Sequence, residues 1–205
     1  YLMDLFRNRR SAQAQSELAK IAASFLLTAL CGLIAKKLGL ELPDTVFPVA
    51  MAAILGACVI FWVESRQIHR SSSEQISWGA AIAVAIGQVL AMIFPGTSRS
   101  GAAVMAALIA GTSRPIAVRF SFLVGIPTLL AAGAKEIKDA ADQGQLAALF
   151  TSESLVAFVT ATFTAWLSVV WLLKWIQTRD FKPFAWYRIA LGIVLLGLIE
   201  FGLLN

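Results

Sequence analysis

Charge is what this sequence has least of. Charged residues make up 14% of the chain and hydrophobic ones 59%, where soluble domains carry about 25% and 45–50%. With a mean hydropathy of +0.77, that excludes a disordered chain and argues against a cytosolic enzyme. It points instead to a polytopic membrane protein. Cysteine is scarce too: Cys31 and Cys58 lie in apolar runs with no CxxC spacing. They read as small core residues and report nothing about a redox compartment. His69 is the only histidine and falls in the basic stretch Arg66-Gln67-Ile68-His69-Arg70, where it reads as a solvated loop residue. The net charge of +5 is modest and sits mainly in short loops, a pattern that suits membrane orientation and not nucleic acid.

What is present in quantity is uncharged sequence. Ile21–Ala35, Thr45–Val63, Ser154–Leu173 and Phe184–Leu204 read as membrane spans, the last with Arg188 and Glu200 near its ends. Both of these side chains can snorkel to an interface. Phe120–Ala134, extended by Ala117 and Val118, reads as a further span that Pro127 kinks. The length suits one integral-membrane domain over 1–205, all-α in class. Tyr1–Phe6 resembles the tail of an apolar segment running into Arg7, Arg9 and Arg10, without the pattern of a signal peptide. The expectation is a chain that starts just after a transmembrane helix.

The stretch 75–111 departs from this pattern. Gln75–Phe94 is long enough for a helix, but Ala102–Gly111 is too short to cross a bilayer, and Pro95-Gly96 separates them. A helix, a break and a half-length helix predict a re-entrant hairpin, with the break covered by protein or lining a wet cavity. If 75–111 enters and leaves on one side, loops on that side hold Arg7, Arg9, Arg10, Lys20, Arg66, Arg70, Arg114, Arg119, Lys174, Arg179, Lys182 and Arg188. The other side holds Lys36, Lys37, Lys135 and Lys138, with the acids Glu41, Asp44, Glu136, Asp139, Asp142 and Glu153. The positive-inside rule makes the richer side cytoplasmic.

Pro95-Gly96-Thr97-Ser98-Arg99-Ser100-Gly101 is the one constellation with chemistry in it. Arg99 has 24 uncharged residues before it and 14 after it. A cation at bilayer depth costs about 2.5–3.5 kcal/mol on insertion scales and needs an anionic partner. That partner is a carboxylate from elsewhere in the fold, making the break a structural loop, or a bound anion. The flanks suit an anion. Pro95 and Gly96 stop one helix, Thr97 or Ser98 can cap the next, and the N–H groups of its first turn converge with the dipole behind them. Arg99 adds a planar fork of donors matched to phosphate oxygens, and Ser98 and Ser100 add hydroxyls.

These residues resemble the PGxSRSG signature of undecaprenyl-diphosphate phosphatases, also called bacitracin-resistance proteins. Ser121-Phe122-Leu123 with Ile126-Pro127 is similar to the family's SFLxxIP stretch, and Phe184-Ala185-Trp186-Tyr187-Arg188 to its FxxYR. The resemblance implies an inverted-repeat fold with two re-entrant hairpins, of which this chain holds one plus flanking helices. It implies hydrolysis of undecaprenyl diphosphate to undecaprenyl phosphate and phosphate in the bacterial inner membrane. That reaction recycles the lipid carrier of cell-wall synthesis and confers bacitracin resistance. Carried over by motif, it implies that Arg99 binds the diphosphate, with Ser98, Ser100 and the Gly96–Thr97 backbone helping. Arg99, Ser98 and Ser100 are thus the candidate catalytic residues, and Gly96, Thr97 and Gly101 candidate substrate-binding ones. Gln88 joins the substrate-binding candidates from its polar place in an apolar helix, not from the resemblance.

A divalent cation, Mg²⁺ or Ca²⁺, is also implied, together with membrane lipids and the lipid diphosphate as partners. The family's second signature, ExxxE followed by PxSSTGH, is not found in these residues. It would lie before Tyr1, so no metal ligands are read from this chain, and residues 1–205 alone are expected to be inactive. From the residues themselves, Gln88 either faces the site or bonds a neighbouring helix. Arg188 either snorkels to lipid head groups or joins the site. The six tryptophans fit an interfacial belt, and the Gly and Ala content of 79–111 and 124–134 fits close helix packing. The rival function is a transporter or flippase for a phosphorylated lipid, since broken helices also bind anions in carriers. A cysteine phosphatase loop fails for want of Cys-x5-Arg, and a PSGH-type membrane phosphatase for want of its histidines.

Overall fold

A computed structural model of the chain describes residues 11–38, 45–67, 73–145 and 149–204. The expectations for Tyr1–Phe6, Arg7, Arg9, Arg10, Glu41, Asp44, His69 and Arg70 lie outside them. Among the described residues are seven helices and no strand. They are α1 (Ala12–Lys37), α2 (Val46–Gln67), α3 (Trp78–Ile93), α4 (Arg99–Ile109), α5 (Arg114–Asp142), α6 (Ser152–Thr178) and α7 (Lys182–Glu200). Five are long and apolar enough to cross a membrane; α3 and α4 are the short pair. The protein is an all-α, multi-pass membrane protein. Hydroxyl side chains set several of the starts: Ser77 accepts from the Ala80 N–H and Thr151 from the Ser154 N–H. Pro115 and Pro183 sit in first turns, where a missing N–H costs nothing. Helix α5 runs unbroken through Pro127.

The short pair forms the expected hairpin. At its base the Ser73 N–H donates to the Gly111 carbonyl, and the Ser113 N–H donates back to the Ser73 carbonyl, both at 3.0 Å. Chain entry and chain exit are therefore on one side. The same side holds the C-terminal end of α2 and the starts of α5 and α7. There the Glu64 carboxylate, 1% exposed, accepts from Arg114 and from the Phe181 N–H at 3.0 Å. Lys20 of α1 reaches the Ile76 carbonyl at 2.9 Å, so α1 begins there as well. Of the described basic residues, Lys20, Arg66, Arg114, Arg179 and Lys182 gather on one face, while Lys37, at the end of α1, and Lys135 and Lys138, toward the end of α5, lie on the other. Arg188, counted with the first face in the sequence, turns instead to the hairpin tip. By the charge asymmetry the first face is cytoplasmic.

The hairpin is the centre of the packing. Ala80, Ala81 and Val84 of α3 and Ala103, Val104, Met105, Ala107 and Leu108 of α4 form one buried cluster with Ala57, Ile60 and Val63 of α2. Ala117, Val118, Phe120 and Val124 of α5 belong to it as well, with Phe181 and Ala185 at the start of α7. Helix α6 reaches the cluster at its C-terminal end through Ile176, while its most apolar stretch has no buried residue. At Gly87 an added Cβ would fall 2.8 Å from the Ala102 carbonyl, so the small residues of the hairpin do bring two backbones together. Gly125 and Gly133 of α5 face open space, and the packing expected of 124–134 is not theirs. The cysteines correct another expectation. Both are free, but Cys31 is half-buried and Cys58 exposed, because each falls outside its helix's inward face. Trp62, Trp78, Trp175 and Trp186 lie near helix ends as a belt requires, whereas Trp166 is at the middle of α6.

Candidate active site

The tip of the hairpin is Phe94–Ser98, and two of its residues hold left-handed backbone. Gly96 has φ +86° and Ser98 φ +67°. Glycine adopts that region freely; serine does so at a cost of about 1–3 kcal/mol, borne where surroundings over-determine it. Gly96 is also wedged against α2, where a Cβ would come within 2.6 Å of the Val49 carbonyl. Val49 lies in the first turn of α2, far from Glu64 at the other end. Helix α3, with 16 residues, rises about 24 Å of a hydrocarbon core of about 30 Å. The tip therefore lies toward the face opposite the hairpin's base.

Beyond the tip, Ser98 caps α4 as expected, its Oγ accepting from the Gly101 N–H at 3.3 Å. Helix α4 then presents the first-turn amides of Arg99 and Ser100, for which the helix itself has no acceptors, with the positive end of its dipole behind them. The side chains of Ser98, Arg99 and Ser100 are all exposed. Arg99 is not enclosed, as its position in the sequence suggested, and it has no ion pair or hydrogen bond among the described residues. The structural-acid reading therefore gains nothing here, and the guanidinium is available to an anion.

Gln88 corrects the sequence reading. It is 2% exposed, and neither its Oε1 nor its Nε2 has a partner among the described residues. It borders neither cavity at the tip. The residues on either side of it on the same helical face, Ala81 and Met92, meet Ser24 and Gly32 of α1. Gln88 thus faces α1, about a quarter turn from Gly87, which faces α4. Arg188 was weighed between lipid and site, and it joins the site. Its Nε donates to the Ala53 carbonyl at 3.2 Å, and its Nη2 to the carbonyls of Ala52 at 2.9 Å and Gly96 at 3.0 Å. Its cost at that depth and its place in the FxxYR-like stretch marked it in the sequence, but neither showed that its partner would be the tip, 92 residues away.

Two cavities meet at this point. One, of ≈ 320 Å³, runs from Gly96, Ser98, Ser100 and Gly101 down between α4, α5 and α7 to Phe122, Phe184 and Leu191. The other, of ≈ 340 Å³, opens between α2, α3 and α4 and is bordered by Thr97, Gly101 and Gly56. Arg188 and Gly101 line both, and both walls are otherwise almost wholly apolar. A cationic, donor-rich tip thus stands at the mouth of hydrocarbon-lined space. Among the described residues no three His, Cys, Asp or Glu side chains cluster as metal ligands. Glu64, the buried acid, is committed to Arg114 and Phe181 at the opposite end of α2. The described residues do not fit a divalent cation.

Fold and tip together define a multi-pass membrane protein with a re-entrant hairpin whose donor-rich tip stands beside apolar grooves. The sequence matches the family described as "Bacitracin resistance protein BacA" over residues 1–194. It is 43% identical over 204 residues to an undecaprenyl-diphosphatase of Rhizobium etli, covering 99% of this chain and 77% of that protein. To an undecaprenyl-diphosphatase of Xylella fastidiosa it is 44% identical over 178 residues, covering 86% of this chain and 68% of that protein. The chain belongs to the BacA family.

Proposed function

We propose that this protein hydrolyses undecaprenyl diphosphate to undecaprenyl phosphate and inorganic phosphate, an activity that confers bacitracin resistance. The observation that carries the reading is the tip itself. A capped helix start stands there at the mouth of apolar space able to take part of a lipid, and Arg99, exposed and without a partner among the described residues, stands in the first turn of that helix. Arg99 and the first-turn amides hold the diphosphate, and charge-assisted bonds to its oxygens grow as charge develops in phosphoryl transfer. Ser98 keeps its hydroxyl proton free to donate while its oxygen caps α4, and Ser100 supplies a second hydroxyl. Gly96 and Gly101 keep the backbone close, and Thr97 borders the second cavity. Gln88 has no part in this reading.

A divalent cation, which a hydrolase of this kind takes from its family, has no ligand set among the described residues. No step is assigned to it. The transporter reading is not favoured, because the relatives that match are named for a hydrolytic activity. Position at the tip, toward the non-cytoplasmic face, supports a substrate presented from that leaflet.

Phosphate release from undecaprenyl diphosphate by the full-length protein in detergent, with Mg²⁺ or Ca²⁺ added, tests the proposal. Arg99→Ala is expected to insert normally and to lose activity by about 10²–10³-fold, as when a donor to developing oxyanion charge is removed. Arg99→Lys should not restore it, since an ammonium lacks the bidentate fork. Turnover by Arg99→Ala within a few-fold of wild type would overturn the site.

A further inference from the structure

The loop that holds the anion is itself held by a residue outside its motif. Arg188 stands in the second turn of α7, and its guanidinium reaches three carbonyls on two other elements: Ala52 and Ala53 in α2, and Gly96 at the tip. No carboxylate pairs with it among the described residues. Its Nη1 makes no bond among them either. The chain makes room for this arrangement at Gly56, where an added Cβ would lie 2.3 Å from Arg188 Nη2. Gly56 is mid-helix and has no left-handed backbone to explain a glycine. It weakens α2, and what it admits is the arginine head.

We propose that Arg188 is a positioning residue for the phosphate-binding loop. It draws the Gly96 carbonyl toward α2, so that N–H and hydroxyl donors, and not a carbonyl oxygen, face the anion. It also places an unneutralised positive charge behind the loop. The inference rests on the phosphatase reading above. Three features support it together. A carbonyl aimed into an anion site would repel the ligand, and Arg188 occupies the one at Gly96. The loop contains two left-handed residues, one of them serine, and such backbone persists only when its surroundings fix it. Val49 bounds Gly96 at its Cα and Arg188 holds its carbonyl, so α2 fixes the loop once directly and once through the arginine. Finally, Nη2 bonds both Ala52 and Gly96 while Nε, bonded to Ala53, fixes the plane of the head against α2; a lysine ammonium is a point donor without that second anchor.

The test uses the full-length protein in a background with Cys31 and Cys58 replaced by alanine. A nitroxide is attached at Thr97→Cys. Three variants are compared: Arg188→Met, Arg188→Lys and Gly56→Ala. Gly56→Ala keeps the arginine and improves the intrinsic helix propensity of α2, so a loss there is not a weaker helix. Spin-label mobility reports the loop without reference to any substrate. Without the label, kcat and KM for a prenyl diphosphate report the consequence. The expectation is a more mobile label in all three variants, with kcat down at least tenfold and KM changed less. Arg188→Met combined with Gly56→Ala should be no worse than Arg188→Met alone, as for two changes acting through one contact.

A label as immobile as wild type overturns the proposal. If activity is lost with it, Arg188 acts on the substrate directly; if activity is kept, Arg188 is an interfacial cation only. A mobile label with unchanged kcat overturns it as well. If the parent protein releases no phosphate from any prenyl diphosphate, the phosphatase reading fails, and the label still decides whether Arg188 seats the loop.

Discussion

At Gly96 two constraints of different origin coincide: a backbone at φ +86° and a gap to the Val49 carbonyl that a single methyl group would overfill. Either alone would favour glycine. Together they leave no room for compensation, because relieving the contact means withdrawing the tip from α2. Gly96→Ala is therefore expected to insert but to lose most phosphatase activity and to lower Tm by several degrees. Gly101→Ala should be milder, since its added Cβ would lie 3.2 Å from the movable Ser98 Oγ. Parallel melts and phosphate-release assays on the two variants check the ranking. At this scale the sequence is a partial guide. A lone arginine after Pro-Gly announces itself by its cost in lipid, and so does a serine poised to cap. The partner of Gly96 does not, since nothing in the local sequence links residue 96 to residue 188. Gln88 misled for a related reason: a polar residue in an apolar helix signals a need for partners, but not the side on which they lie.

The elements are held at the cytoplasmic end by one ionic knot. Glu64 ends α2, Arg114 begins α5, and the Phe181 N–H precedes α7. Glu64 is 1% exposed, while the Arg114 side chain is 29% exposed. Removing the arginine strands a buried carboxylate, which costs about 3–5 kcal/mol for fully buried pairs. Partial exposure of Arg114 puts the expectation at the low end of that range. Arg114→Ala should thus be markedly less stable than Glu64→Gln, which removes the charge and keeps an acceptor for the Phe181 N–H. Denaturation of both variants in the same detergent measures the difference; equal losses would show that the pair is not what ties α2 to α5. The existence and type of these helices was legible in the sequence, because uncharged runs near 20 residues have few other outcomes. The knot was not: Arg114 read as a loop charge, Glu64 merely closes the uncharged run Thr45–Val63, and nothing in the sequence joins the two.

For the whole molecule, the hydrogen bonds at Ser73 put both ends of the hairpin on one side, and given that arrangement the charge count makes that side cytoplasmic. Gln143→Cys is accordingly expected to react with a membrane-impermeant maleimide added outside cells, and Thr178→Cys only after permeabilisation. The opposite pattern would invert the protein and put the tip toward the cytoplasm. A further consequence follows from the bond between Arg188 and Gly96, and it concerns the order in which the protein can be made. Synthesis delivers α2 first, the hairpin next and α7 last. When the hairpin leaves the ribosome its tip has one wall, Val49, and carries carbonyl and N–H groups that lipid cannot satisfy. The residue that completes it arrives 92 positions later. Until then the hairpin has reason to stay near the wet interior of the translocon and not to settle in the bilayer. In a chain stalled before residue 182, a cysteine at the tip (Thr97→Cys) should react faster with a water-soluble maleimide than it does in the released protein.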